Sequence, residues 1–171
     1  MKIVDIFAPA LFSFHYDEEV DNEYDRLMDN WTDVSYLRKY AISNAITDVT
    51  KFVNDRLRDA EEIQDLLDEI TTNQQPLEYY FRPLFDNEGG IKTLSLQKGK
   101  IKKNGIRLYA VKIDENCFVI TGGAIKMSQA MQDHADSNNE LTKIKNAKDY
   151  LQENSVVDED SFYELINEQN E

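Results

Sequence analysis

The strongest chemical signal in this sequence is a cluster of basic side chains. Residues 91–113 contain seven lysines and arginines and no acidic residue, although the formal net charge of the 171-residue chain is −14. Four of the seven lie in one short loop, and these are Lys98, Lys100, Lys102 and Lys103. Cations at this spacing can converge on a few phosphates, which predicts an RNA-binding loop. The alternative is that the lysines only keep a sheet edge soluble.

Three further residues could act together with this loop. Arg107 and Tyr109 are two positions apart in a strand-like segment, so we expect them to share one face of the strand. A cation would then lie beside a ring that can stack on a base or donate a proton. Lys126 ends the segment Thr-Gly-Gly-Ala-Ile-Lys of residues 121–126, whose two glycines let the backbone bend or approach another group closely. The alternative there is a β-bulge followed by a solvated lysine.

Histidine and cysteine offer fewer possibilities. His134 is close enough in sequence to reach the basic surface and could act as an acid or base, although an exposed loop histidine is the simpler interpretation. His15 is too far from His134 in sequence to suggest a metal site, and the single cysteine, Cys117, excludes an internal disulfide. We therefore expect no metal and no cofactor. One cysteine fits a reducing cytoplasm, and no apolar run approaches the ~20 residues that span a bilayer.

The elements that must position these residues change in character along the chain. A strand is predicted for residues 1–7 and a helical region for residues 17–84. A β-meander follows over residues 91–123, and C-terminal helices with an acidic tail occupy residues 138–171. We predict a single domain over residues 1–171. Its class is α+β, with a small, mainly antiparallel sheet made of the N-terminal strand and the three-stranded meander, and with helices packed on one face.

Within that plan the boundaries are set by capping and breaking residues. Thr32 or Asp33 is predicted to cap one helix, and Asp160 or Ser161 the last one. A long helix is predicted from about residue 44 to 70, followed by a loop over residues 71–75 and a short helix that begins at Pro76. The meander strands are predicted at residues 91–97, 106–113 and 117–123.

The meander resembles the RelE/ParE toxin superfamily, in particular its HigB-like branch. The resemblance rests on Arg107-Leu-Tyr-Ala-Val-Lys112, on Cys117-Phe-Val-Ile-Thr-Gly-Gly-Ala-Ile-Lys-Met127, and on Glu140-Leu-Thr-Lys-Ile at the start of the next helix. It covers roughly residues 90–150 together with the N-terminal strand, which is under half of the chain. The family order of strand, helices, antiparallel strands and helix matches the predicted order.

The resemblance implies a metal-independent endoribonuclease that cuts messenger RNA on the ribosome and is neutralised by a cognate antitoxin. Carried over to this sequence, Arg107 and Lys126 would hold phosphate, and Tyr109 or His134 would be the acid or base. Two alternatives stay open. The chain could be a non-catalytic module that retains the fold and binds RNA or an acidic partner, or a protein-binding module whose acidic helices make the contact. The sequence leaves the oligomeric state open.

Overall fold

The computed structural model describes residues 1–7, 11–73, 76–85, 88–96, 105–126 and 135–171. The six strands in these ranges are β1 (Lys2–Phe7), β2 (Leu11–His15), β3 (Phe81–Pro83), β4 (Lys92–Leu96), β5 (Ile106–Asp114) and β6 (Cys117–Ile125). The helices are α1 (Glu23–Trp31), α2 (Val34–Ser43), α3 (Val49–Asn73), α4 (Ala135–Glu153) and α5 (Glu159–Gln169), with a 3₁₀ turn at Leu77–Tyr79. The strands form one sheet in the order β1-β2-β6-β5-β4-β3.

The sheet confirms the α+β class and its mainly antiparallel character. Every neighbouring pair of strands is antiparallel except β2 and β6, which run parallel and pair Leu11–Ser13 with Phe118–Ile120. The meander is formed by β4, β5 and β6, close to the predicted positions. The predicted N-terminal strand is half of a hairpin, because β2 turns back along β1 and joins it to the meander.

Helices cover both faces of the sheet, whereas the sequence predicted one. Alternate residues of each central strand enter two separate apolar layers, as a strand buried on both faces requires. Leu108 and Ala110 of β5 pack with α1, α2 and α3, and Val111 packs with α4 and α5. All nine residues of β6 are buried. An apolar strand of this kind needs cover on each side, which explains the two helical layers.

Several boundaries differ from the prediction for local reasons. Asp33 does cap α2, accepting from the backbone N–H groups of Ser35 and Tyr36. The cap of α5 is Asp158, which forms a capping box with Ser161, so the last helix begins earlier than predicted. The long helix α3 extends through residues 71–73, which were predicted as loop. Residues 81–83, predicted as helix, form the edge strand β3 because they pair with β4.

The acidic C-terminal segment is anchored in the structure. Phe162 and Leu165 of α5 are buried in the apolar layer that also contains Phe12 of β2 and Val119 of β6. Its acidic residues therefore lie on the outer side of a packed helix. None of the helices in the described ranges is both long and apolar enough to cross a membrane.

A buried carboxylate on α3 anchors the start of β5. Asp59 is 5% exposed, and its Oδ2 accepts from the Gly105 backbone N–H at 3.0 Å and from Arg56 Nε at 2.8 Å. The helix passes through Asp59 without the break that the sequence allowed. This contact fixes the residue at which the described chain enters the meander.

We predict that Asp59→Ala lowers the free energy of unfolding by about 3 kcal/mol, because it leaves a largely buried guanidinium and the Gly105 N–H without their acceptor. Asp55→Ala is the matched control on the same helix. Asp55 pairs at the surface with Lys51 and Arg58, which are 71% and 64% exposed, so we expect a loss of about 0.5 kcal/mol. Urea denaturation measures both. Equal losses would contradict the anchoring role of Asp59.

Candidate functional site

Arg107 and Lys126 lie at the same end of the β5–β6 ladder. Arg107 is paired with Ala124, and the backbone N–H of Lys126 donates to the Gly105 carbonyl at 2.7 Å. Arg107 is half-buried and Lys126 is exposed. We call Gly105, Arg107 and Lys126 the basic end. It is the end of β5 that continues in sequence from the four-lysine loop.

Tyr109 shares the face of Arg107, as predicted, but it is buried. It is 4% exposed and packs with Ala124 and with Ile144 of α4. Burial raises the pKa of Tyr109 to about 12, although the nearby Arg107 guanidinium opposes this shift. The phenol therefore keeps its proton at neutral pH, so that it can donate a hydrogen bond but cannot act as a base.

The predicted β-bulge is present on β6. Tyr109 pairs with Gly122 and Ala110 with Ile120, which leaves Thr121 as the extra residue. The Thr121 carbonyl accepts from the Tyr16 hydroxyl at 2.7 Å. The bulge therefore lies where β6 has run past its parallel pairing with β2.

Five of the predicted site residues lie outside the described residues, and these are Lys98, Lys100, Lys102, Lys103 and His134. Their predicted roles stay predictions. Among the described cations of the basic segment, Lys112 forms an ion pair with Glu78. The described geometry therefore brings together Arg107, Tyr109 and Lys126.

A cavity that the sequence did not reveal opens beside β6. In the described part of the chain, β2 pairs with β6 only at Phe118–Ile120, so the same edge of β6 beyond the bulge faces a space between α1, α2 and α4. This space has a volume of about 310 Å³, and we call it the edge cavity. Among the residues that line it are Arg26, Trp31, Tyr36, Gly123, Glu140 and Lys143.

Two buried carboxylates, Glu23 and Glu140, share the ammonium group of Lys143, and Glu140 lines the edge cavity. Glu23 is fully buried and is satisfied at both oxygens, by Arg26 Nε at 2.6 Å and Lys143 Nζ at 2.5 Å. Glu140 is 6% exposed, and its Oε1 lies 3.4 Å from Lys143 Nζ. Its Oε2 has no hydrogen-bond partner among the described residues. Glu140 therefore retains unused capacity to accept a hydrogen bond.

Because the charge of the Glu140 carboxylate is not fully compensated by cations, the pKa of this group is shifted. Burial raises the pKa of its carboxyl from 4.5 to about 7; Lys143 and Arg26 oppose this rise, and Glu23 adds to it. Tyr16, which also faces this cluster, has its pKa raised mainly by burial and then by Glu23 and Glu140. Glu140 thus changes charge near neutral pH, in the range where a carboxyl group is most useful as an acid or base.

The two glycines of β6 are needed because side chains approach them from both sides. A Cβ at Gly122 would collide with Glu140 Oε2. A Cβ at Gly123 would lie 2.5 Å from the Arg107 carbonyl oxygen and 2.7 Å from the Trp31 ring. The close approach predicted from the sequence is therefore real, and the groups that approach are Glu140 and Trp31.

Sequence reasoning had no means to single out Glu140. The residue lies in the first turns of a helix with Lys143 three positions later, a spacing typical of a solvated surface ion pair. Its other charged neighbours, Glu23 and Arg26, are more than a hundred residues away in the chain. Among the described residues, no group of three histidine, cysteine or acidic side chains is arranged to hold a metal ion.

Comparison of the chain with protein-family models, with curated proteins and with solved structures found no match.

We predict that Glu140→Gln changes the pH dependence of stability. The folded protein holds the Glu140 proton more tightly than the unfolded chain does, so wild-type stability falls as pH rises between about 4.5 and 7. From pH 5.5 to 8 the wild type should lose about 2 kcal/mol of unfolding free energy relative to the variant. Urea denaturation at several pH values measures this, with the exposed Glu61→Gln as control. Parallel curves for wild type and Glu140→Gln would contradict the prediction.

We predict that Gly123→Ala destabilises the fold by about 2 kcal/mol, because the added methyl group meets a backbone carbonyl that cannot rotate away. Gly89→Ala is the matched control. A Cβ at Gly89 has no atom within 4 Å, so the change should be within about 0.5 kcal/mol. Thermal or urea denaturation compares the two. A loss at Gly123 no larger than at Gly89 would mean that the strand is not so tightly enclosed.

Proposed function

We propose that this protein binds RNA at its basic end and cleaves it without a metal, as a toxin-type endoribonuclease that acts on messenger RNA at the ribosome. The observation that supports this most directly is the Lys126–Gly105 backbone hydrogen bond of 2.7 Å. It holds Lys126 across from the residue that follows the lysine loop in sequence. Arg107 of β5 and Lys126, which directly follows β6, then lie at the end of the ladder at which β5 follows the four-lysine loop in sequence.

The chemistry of the proposal is electrostatic. Arg107 and Lys126 would hold the scissile phosphate and stabilise the charge that develops when the neighbouring 2′-hydroxyl attacks it. Arginine suits this role because its planar guanidinium can contact two phosphate oxygens at once. Lys98, Lys100, Lys102 and Lys103 would supply the positive potential that draws RNA to this end of an acidic protein.

The acid–base step in the proposal belongs to His134. Tyr109 is buried against Ala124 and Ile144 and keeps its proton at neutral pH, so it cannot be the base. This burial also favours a second candidate function, a module that binds RNA through the same basic end without cutting it. In either case a cognate antitoxin would inhibit the protein by covering the basic end.

We predict that tightly induced expression of the wild type arrests growth and creates new messenger-RNA ends. Both effects should be lost with Arg107→Ala/Lys126→Ala, because the phosphate has lost its two fixed cations. The matched control is Lys51→Ala/Arg58→Ala, which removes one lysine and one arginine from exposed positions on α3 and should retain both effects. Circular dichroism confirms that each variant is folded.

Binding measured with purified protein separates the two candidates. RNA affinity should fall at least tenfold in Arg107→Ala/Lys126→Ala, and the slope of log affinity against log salt should decrease by about two. Binding without growth arrest or new RNA ends would favour the non-catalytic module. Wild-type protein that neither binds RNA nor arrests growth would refute the proposal.

A further inference from the structure

The edge cavity has the properties of a ligand site. The function proposed for the basic end does not require this cavity. Its lining includes the aromatic residues Trp31 and Tyr36 and the acidic residue Glu140. The Glu140 side chain is more than nine-tenths buried, and one of its oxygens has no partner among the described residues. A buried acceptor left unsatisfied costs free energy, which a ligand that donates a hydrogen bond would recover.

The charges around the cavity restrict the chemical class of ligand that it can bind. A second cation would meet the Lys143 ammonium group, which already lies 3.4 Å from Glu140, as well as the Arg26 guanidinium. An anion would meet the carboxylate of Glu140, and the Arg26 and Lys143 cations on the cavity wall are already paired with the buried Glu23. The remaining class is a planar, uncharged group that presents N–H donors and can stack on aromatic rings. At about 310 Å³, the cavity is at the lower end of the range for ligand pockets and suits a single ring system.

We propose that the edge cavity binds one nucleobase, with Glu140 accepting hydrogen bonds from its edge and the half-buried Tyr36 ring packing against its face, beside the buried Trp31. Guanine fits best, because its N1–H and its 2-amino group are adjacent donors that match the two oxygens of a carboxylate. Rotation of the Glu140 carboxyl group about its Cγ–Cδ bond moves Oε2 away from Gly122 and turns both oxygens toward the base. That rotation gives up the 3.4 Å contact with Lys143, which keeps its shorter bond to Glu23.

The position of the cavity connects it to the proposed function. Ala124 lines the cavity and is paired across the ladder with Arg107, so the cavity and the basic end are neighbouring parts of one structure. The inference that the base comes from RNA rests on the proposed function. The recognition of guanine itself does not depend on RNA cleavage.

Trp31 provides a direct reporter, since it is the only tryptophan in the chain and it lines the cavity. We expect GMP to quench its fluorescence in a saturable way at pH 8, and AMP, CMP and UMP to bind at least tenfold more weakly. Glu140→Gln should weaken GMP binding about tenfold, because the amide replaces an acceptor with a donor. Glu153→Gln, which changes an exposed residue on the same helix, should bind GMP as the wild type does.

A short single-stranded RNA with and without guanine identifies the source of the base. Stronger quenching by the guanine-containing RNA than by GMP supports recognition of a base within RNA, and equal quenching supports a free nucleotide. Quenching that persists in Arg107→Ala/Lys126→Ala, after RNA affinity is lost, supports the cavity as a separate site. RNA binding without saturable quenching by any nucleotide would overturn the cavity proposal alone. GMP quenching by a wild type that does not bind RNA would overturn only the proposed function.

Discussion

The close approach of side chains to Gly122 and Gly123 is the constraint on which the rest of the structure depends. The Arg107 carbonyl and the Trp31 ring leave no room for a Cβ at Gly123, and Glu140 leaves none at Gly122. Helix α1 can therefore lie close against one face of β6 while α4 lies close against the other. The edge cavity and the basic end both form around this strand, because their residues are held by the same glycine-permitted approach.

In the charged cluster beside the glycines, the two carboxylates are not equally compensated by cations. Glu23 is fully buried, and both of its oxygens have cationic partners. A buried carboxylate without such partners would cost several kcal/mol. Glu140 shares Lys143 with Glu23 and receives the longer contact, so burial decides its pKa. The protein thus keeps one carboxyl group beside a cavity with a pKa near neutral pH. Such an arrangement is more typical of functional sites than of structural ion pairs.

Acidic and basic residues are concentrated in different segments of the chain, so a polyanion would meet different charges on different parts of the surface. Outside residues 91–150 acidic side chains greatly outnumber basic ones, and the exposed surfaces of α3 and α5 are largely acidic. Polyanions are repelled by those surfaces and attracted by the segment that contains the basic end. Because such attraction acts within about 10 Å at moderate salt, the acidic helices are compatible with the proposed binding of RNA at the basic end.

The sequence by itself determined most of the local elements, although not β2 or the edge strand β3, and the tertiary structure decided which residues meet. Alternating residues predicted β5 and β6, the cap at Asp33 was readable, and the glycine pair correctly indicated a close approach. These features depend on neighbours a few positions apart, so they are visible in a short window. The parallel pairing of β2 with β6, the burial of Tyr109 and the contact of Glu140 with the Glu23 cluster join distant segments. No local pattern encodes such contacts, because they are decided by how the two helical layers close on both faces of the sheet.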